Sequence, residues 1–253
     1  MEEMLDQLIT YLLNERKEYQ GIYIPDTFDE KFRLYRSLVN VRMPSPIDES
    51  FLKLQDTFLK EYSLRKGIVI LQDMEEIDNR IYLWKGDITR LQVDAIVNAA
   101  NAQMLGCFVP CHGCIDNAIH TFAGVQLRNA CAEIMKKQGK EEPCGGAKIT
   151  HAYNLPCRYI IHTVGPIVYG SLQETHKQQL ASCYNAVLQT AANYNLKSVA
   201  FCCISTGEFH FPNEEAARIG VSCVKEFLKT HEMKVIFNVF KQEDETIYRR
   251  LLS

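Results

Sequence analysis

Near the start of the chain, apolar residues recur at Met4, Leu5, Leu8, Ile9, Leu12 and Leu13, the spacing that lines one face of an α-helix. Phe51, Leu52, Leu54, Phe58 and Leu59 mark a second helical segment, opened by Asp48-Glu-Ser50, residues suited to a helix start. Met43-Pro-Ser-Pro-Ile47 separates it from what precedes, because proline interrupts a helix. Residues 1 to about 66 therefore read as helical and carry no evident chemistry, which fits a packing extension or a lid. From about residue 80 the pattern changes. Short apolar runs at 81–85, 93–97, 158–163, 198–203 and 233–239 predict strands, and helical patterns at about 115–137, 175–193 and 214–230 lie between several of them. In the first of these helices Ile115, Ile119, Phe122, Leu127 and Ile134 can share a face. Such alternation predicts an α/β fold, a mainly parallel or mixed sheet with helices on both faces.

Composition narrows the class. The 253 residues are 47% hydrophobic and 23% charged, enough to bury a core, and the net charge of −3 is built from interspersed signs. No basic field marks a nucleic-acid partner, and no apolar run reaches the ~20 residues that span a bilayer. The acidic opening Met1-Glu2-Glu3-Met4 lacks the pattern of a secretory signal, so a cytoplasmic protein is expected. Most of the ten cysteines suit a reduced interior, as with Cys202 and Cys203 inside an apolar run. The group Cys107, Cys111, His112 and Cys114 stands apart.

In open α/β sheets ligands sit beyond the C-terminal ends of strands. Three polar segments containing glycine follow such ends: Asn98 to Cys114, Gly165-Pro166, and Ser205 to Pro212. Loops of this kind can aim backbone N–H groups at phosphate. In the first, Cys107-x4-His112-x-Cys114 places two thiols and an imidazole within eight residues. These are preferred zinc donors, and three of them leave a fourth position open, as in catalytic sites. Cys111 is a competing donor, but it adjoins His112 and adjacent side chains diverge, which favours a spectator role.

Four segments taken together, Gly86-Asp-Ile-Thr89, Val93 to Asn101, Ile160 to Pro166 and Ile204-Ser-Thr-Gly207, resemble successive macrodomain motifs in order and spacing. The loop Leu105 to His120 resembles that of the zinc-containing macrodomains, the bacterial protein ADP-ribosylhydrolases associated with class M sirtuins, and replaces the Gly-Val-Asp loop of ordinary hydrolytic members. The resemblance implies a three-layer α/β/α macrodomain with a central mixed sheet over 71–253, plus an N-terminal helical extension over 1–70. It implies zinc, Zn(2+), on Cys107, His112 and Cys114, with Asn101 and Asp116 as catalytic residues. Asp116 has a structural reading as well, as a helix-N-terminal aspartate, and Asn98 could simply hold its loop by backbone hydrogen bonds. For ADP-ribose, the resemblance implies Asn101 on the distal ribose and the segment Ser205, Thr206, Gly207, Glu208 and Phe209 on the diphosphate, with Phe209 packed on that ribose. Asp87 and Ile88 would meet the adenine end, with Asn238 nearby. Phe240 would either stack on the adenine or belong to the core, whereas His120 and His162 read as hydrogen-bonded core residues.

The implied activity is hydrolysis of mono-ADP-ribose from modified protein side chains, Asp/Glu-linked, releasing ADP-ribose. The implied partner is a mono-ADP-ribosylated protein, a lipoyl-carrier protein modified by a sirtuin-type transferase. Two alternatives stay open: a non-catalytic ADP-ribose reader, and a deacylase acting on O-acetyl-ADP-ribose.

Overall fold

The computed structural model describes residues 1–253. Three helices open the chain: α1 (Glu2–Asn14), α2 (Phe28–Val41) and α3 (Glu49–Lys66). Thr27 caps α2, its Oγ1 accepting from the Glu30 N–H at 3.4 Å, which satisfies one of the donors that a helix start leaves free. The strands β1 (Val69–Ile70), β2 (Glu75–Asp78), β3 (Ile81–Lys85), β4 (Leu91–Gln92) and β5 (Ala95–Ala99) follow. The chain continues through α4 (Ile115–Ala123), α5 (Val125–Gln138), β6 (Ala147–His151), β7 (Tyr159–Thr163), α6 (Glu174–Asn193), β8 (Ser198–Phe201), α7 (Asn213–Phe227), β9 (Lys234–Val239) and α8 (Gln242–Leu252).

Seven strands form one mixed sheet in the order β2-β3-β9-β8-β5-β7-β6. The five inner strands are mutually parallel, and β2 and β6 run antiparallel at the two edges. A covered parallel sheet buries both faces of its strands. That is why Ile96, Val97, Ile160, Ile161, Val199, Phe201 and Ile236 form near-continuous apolar runs, all fully buried. Helices α6, α7 and α8 pack in sequence on one another, while α4 and α5 contact β5 and β6. Because the inner strands point one way, the segments after β3, β5, β8 and β9 gather along one edge of the sheet.

The five expected strands are present, although β5 starts two residues later than its apolar run and β8 ends two residues sooner. The pattern at 115–137 is two helices, not one, because the chain turns at Gly124 with φ 97°. The edge strands and α8 had no counterpart in the expected pattern.

The extension has a core of its own, with Leu5, Leu8, Ile9, Leu12, Tyr35, Phe58 and Leu59 buried together. That core continues into Val125 of α5, and Phe122 of α4 packs against it. Gln55 Oε1 accepts from both Tyr35 Oη and the Val125 N–H, while β1 pairs with β4. The packing thus runs continuously from helices α1–α3 into the sheet-bearing part of the chain.

Candidate active site

The segment after β5 leaves the sheet at Asn101 and reaches α4 at Cys114. At Gly106 (φ 80°) a Cβ would lie 2.8 Å from the His120 ring, so only glycine lets the loop lie on that side chain. Beyond it, Cys107, His112 and Cys114 converge, with one donor atom of each within 4.8 Å of the others. Cys114 is the N-cap of α4, its Sγ accepting from the Asn117 N–H at 3.4 Å. His112 Nδ1 is buried without a hydrogen-bond partner, a state that carries a desolvation cost unless something fills it. Burial pushes the Cys114 thiol up to about 12, a penalty that a soft cation would offset. The donor types, their convergence and the orphaned nitrogen all fit zinc. Cys111 does not join them. Its φ is 53°, and its Sγ lies 3.2 Å from Ser37 Oγ and 3.3 Å from the Arg33 carbonyl, on α2.

Asp116 is the second residue of α4, in its first turn, and is 5% exposed. Its Oδ1 accepts from Asn98 Nδ2 at 2.8 Å, leaving Oδ2 without a protein donor. Burial raises its carboxyl to about 6, against the lowering effects of Asn98 and Arg128. Asn98, fully buried on β5, also donates to His162 Nδ1 at 3.1 Å, and His162 Nε2 meets Thr150 Oγ1 at 2.9 Å. Asn98 is thus the structural link between Asp116 and the sheet. Burial drives the His162 imidazole down to about 3 and holds His120 well below its usual value, so both stay neutral at physiological pH. Both lie in the core, but the hydrogen-bonded reading holds for His162 alone: His162 uses both nitrogens for hydrogen bonds, whereas both nitrogens of His120 are buried without a partner. His120, Cys131 and His162 also lie within ligand distance of one another, but that engagement of His162 makes the group a packed polar cluster. Asn101 Nδ2 donates to the Gly106 carbonyl at 3.0 Å, while its Oδ1 is buried and free. That oxygen offers an acceptor to a hydroxyl beside the Cys107 group.

The segment after β8 turns sharply, with φ positive at Ser205 (66°) and His210 (55°). Hydrogen bonds from Phe211 N to the Ser205 carbonyl and from His210 N to the Gly207 carbonyl close the turn. The N–H groups of Gly207, Glu208 and Phe209 donate to no protein acceptor, the arrangement of an anion-binding nest. Thr206 N and Oγ1 both turn back to the Cys203 carbonyl, so Thr206 braces the loop. Gly165, two residues past β7, closes on it, since a Cβ there would collide with Ser205 Oγ. Glu208 Oε1 stands 3.7 Å from His112 Nε2, which sets this loop beside the Cys107 group.

The last expected residues divide. Phe240 is 77% exposed just past β9, which excludes the core reading and leaves the ring free to stack. Asn238 is buried, its amide donating to the Gly86 carbonyl at 2.9 Å and to that of Trp84. Its amide nitrogen thus fastens β9 to the turn after β3, and no protein donor engages its Oδ1. Asp87 accepts from the Thr89 N–H and hydroxyl and pairs with Lys66 of α3, so its carboxylate is already engaged by the protein. Ile88 is buried, leaving only its backbone for an adenine.

Sequence reasoning missed four residues that hold the Cys107 loop: Arg36, Asn40, Asn117 and Arg128. The available signal was a charged Arg128 between Leu127 and Cys131; Asn117 lies across α4 from Ile115, Ile119 and Phe122 and gave none.

The Macro domain family profile matches residues 97–220. A protein-ADP-ribose hydrolase of Treponema medium is 52% identical over 252 residues, covering 97% of each chain. A protein-ADP-ribose hydrolase of Staphylococcus aureus is 45% identical, covering 98% of this chain and 95% of its own. Among solved structures, the Trypanosoma brucei macrodomain in complex with ADP-ribose superposes with a TM-score of 0.67 at 28% identity, over 86% of this chain and 95% of that one. With its fold, its loop geometry and these relatives in agreement, the chain belongs to the macro domain family.

Proposed function

We propose that the protein is a zinc-dependent hydrolase that removes mono-ADP-ribose from modified protein side chains. One observation carries this reading: three zinc-type donors converge directly beside the anion-binding turn, with His112 facing Glu208. Relatives named protein-ADP-ribose hydrolase over the full chain support it. Water adds to C1″ of the distal ribose and the bond from C1″ to the side-chain oxygen breaks, giving ADP-ribose and the free side chain. Zinc on Cys107, His112 and Cys114 would supply Lewis acidity at that bond. The free N–H groups of Gly207 to Phe209 hold the diphosphate, and Phe209, half-buried, packs on the distal ribose. Asn101 Oδ1 accepts from a ribose hydroxyl, and Asp116 Oδ2 accepts a proton from the attacking water. Phe240 stacks on the adenine. The motif resemblance adds the rest of the proposal: a linkage through an acidic side chain, and a lipoyl-carrier protein modified by a sirtuin-type transferase as substrate.

The test is release of ADP-ribose from a mono-ADP-ribosylated protein, with metal analysis of the same sample. About one zinc per chain and turnover abolished by chelation are expected. Cys114→Ala should lose the metal, and Cys111→Ala should keep it. Turnover at the normal rate in metal-free protein would remove zinc from the mechanism. ADP-ribose binding without any turnover would make the protein a reader.

A second prediction addresses the diphosphate. A Cβ at Gly207 meets nothing within 4 Å and its φ is unexceptional, so Gly207→Glu should fold normally. A carboxylate about 4 Å from a phosphate near a protein surface is repelled by up to about 4 kcal/mol before screening by salt. Calorimetry should show ADP-ribose affinity falling on the order of 10²-fold at an unchanged Tm. Unchanged affinity would place the diphosphate elsewhere.

A further inference from the structure

The segment from Cys107 to Cys114 has almost no backbone hydrogen bonding of its own; His112 N to the Val109 carbonyl is its one internal bond. A loop so sparsely bonded needs outside fixings to hold three donors at ligand distance. Side chains provide them. The Val109 carbonyl accepts from Asn117 Nδ2 at 2.9 Å, and the Cys111 N–H donates to Asn40 Oδ1 at 2.9 Å. The carbonyl of the donor residue His112 accepts from Arg36 Nη2 at 2.8 Å. Arg36 also reaches Asn117 Oδ1 through Nε at 3.0 Å and Nη2 at 2.7 Å. Asn117 is fully buried, so its amide orientation is set by these partners: Arg36 fixes the oxygen, which commits the nitrogen to Val109. Removing Arg36 therefore unties His112 directly and Val109 through Asn117. The same face of α2 engages Cys111, the one competing thiol, at Ser37 Oγ and the Arg33 carbonyl.

We propose that Arg36, acting with Asn117, is a positioning residue for the donor loop, and that α2 of the N-terminal extension is thereby a working part of the metal centre. The metal half of this inference rests on the zinc reading above. Partners that orient ligands from behind typically contribute about 10–100-fold in metal affinity. Arginine suits the task because its planar fork serves two acceptors at once, which a lysine ammonium does with less geometric definition.

The experiment uses the full chain as wild type, Arg36→Ala, Arg36→Lys and Arg42→Ala. Arg42 ends α2 and pairs with Glu15 of the extension without touching the loop through its side chain, so it controls for general loosening. Zinc affinity is read by competition with a chromophoric chelator, and amide hydrogen exchange of residues 109–114 is read on chelated protein. Arg36→Ala should bind zinc about 10–100-fold more weakly and exchange faster over 109–114. Arg36→Lys should recover part of both, and Arg42→Ala should keep wild-type affinity even if its Tm falls. Wild-type affinity in Arg36→Ala, or an equal loss in Arg42→Ala, would overturn the proposal. If wild type takes up no metal, the zinc reading falls alone. The exchange comparison then still decides the role of Arg36, with unchanged protection in Arg36→Ala counting against it.

Discussion

Replacing Arg128 with Met is expected to cost the fold about 3 kcal/mol. Arg128 is buried on α5, and its Nη1 donates to the carbonyls of Val39, Asn40 and Arg42 at 2.6–2.9 Å. Those carbonyls terminate α2, where a helix has no internal donors left and a negative dipole end that favours a cation. Its Nε holds the Leu105 carbonyl at 2.6 Å, and its guanidinium lies 4.3 Å from the Phe108 ring centroid. Methionine replaces the stem as far as Nε and donates to none of these. Each buried carbonyl left unmet costs about 1–3 kcal/mol, and relief from burying the charge offsets part of the sum. For a chain of this size the loss corresponds to a Tm fall of roughly 6–12 °C. Thermal and urea denaturation measure it directly. A change below about 1 kcal/mol would show that water replaces the guanidinium at no cost.

Asp116→Asn is expected to slow single-turnover release of ADP-ribose by about 10²–10⁴-fold, the usual consequence of losing a positioned proton acceptor. The substitution keeps the shape and leaves an oxygen to accept from Asn98. It removes a charge that burial disfavours, as the carboxyl raised to about 6 indicates. Stability should therefore stay level or rise while the rate falls, a pairing that separates a chemical role from a structural one. ADP-ribose affinity should change far less, since the diphosphate contacts lie on the turn after β8. A variant within threefold of the wild-type rate would show that Asp116 serves only as an acidic residue at the N-terminal end of its helix.

The elements legible in the sequence were those whose signal is local. The inner strands are covered on both faces and betray themselves as apolar runs, whereas β6, written Ala147-Lys-Ile-Thr-His151, is half polar because it lies at an edge. The break at Gly124 was hidden because apolar spacing carries on through it. At the site, the spacing of Cys107, His112 and Cys114 was enough to suggest the group that the fold assembles, with Cys111 turned away. The clasp of Arg36 on Asn117 was not legible, because its partners are 81 residues apart and leave no periodic trace. Asn238 shows a different limit: its position at the end of β9 was readable, but not that its amide is already committed to Gly86.

Two unrelated supports meet at the Cys107 loop. Asp116 is tethered from beneath, through Asn98 and His162, to the central strands. The His112 carbonyl and the Cys111 N–H are tethered from the side, to α2. In the proposed mechanism the gap between Asp116 and the His112 end of the donor set is consequently no property of the loop alone; it is the difference between two positions surveyed from separate landmarks. A misplacement of 1 Å between reacting groups can cost about 10²-fold in rate. In the proposed mechanism, residues along the seam, Arg36 and Arg128 among them, would therefore act as the adjusting screws of the reaction while touching none of its atoms.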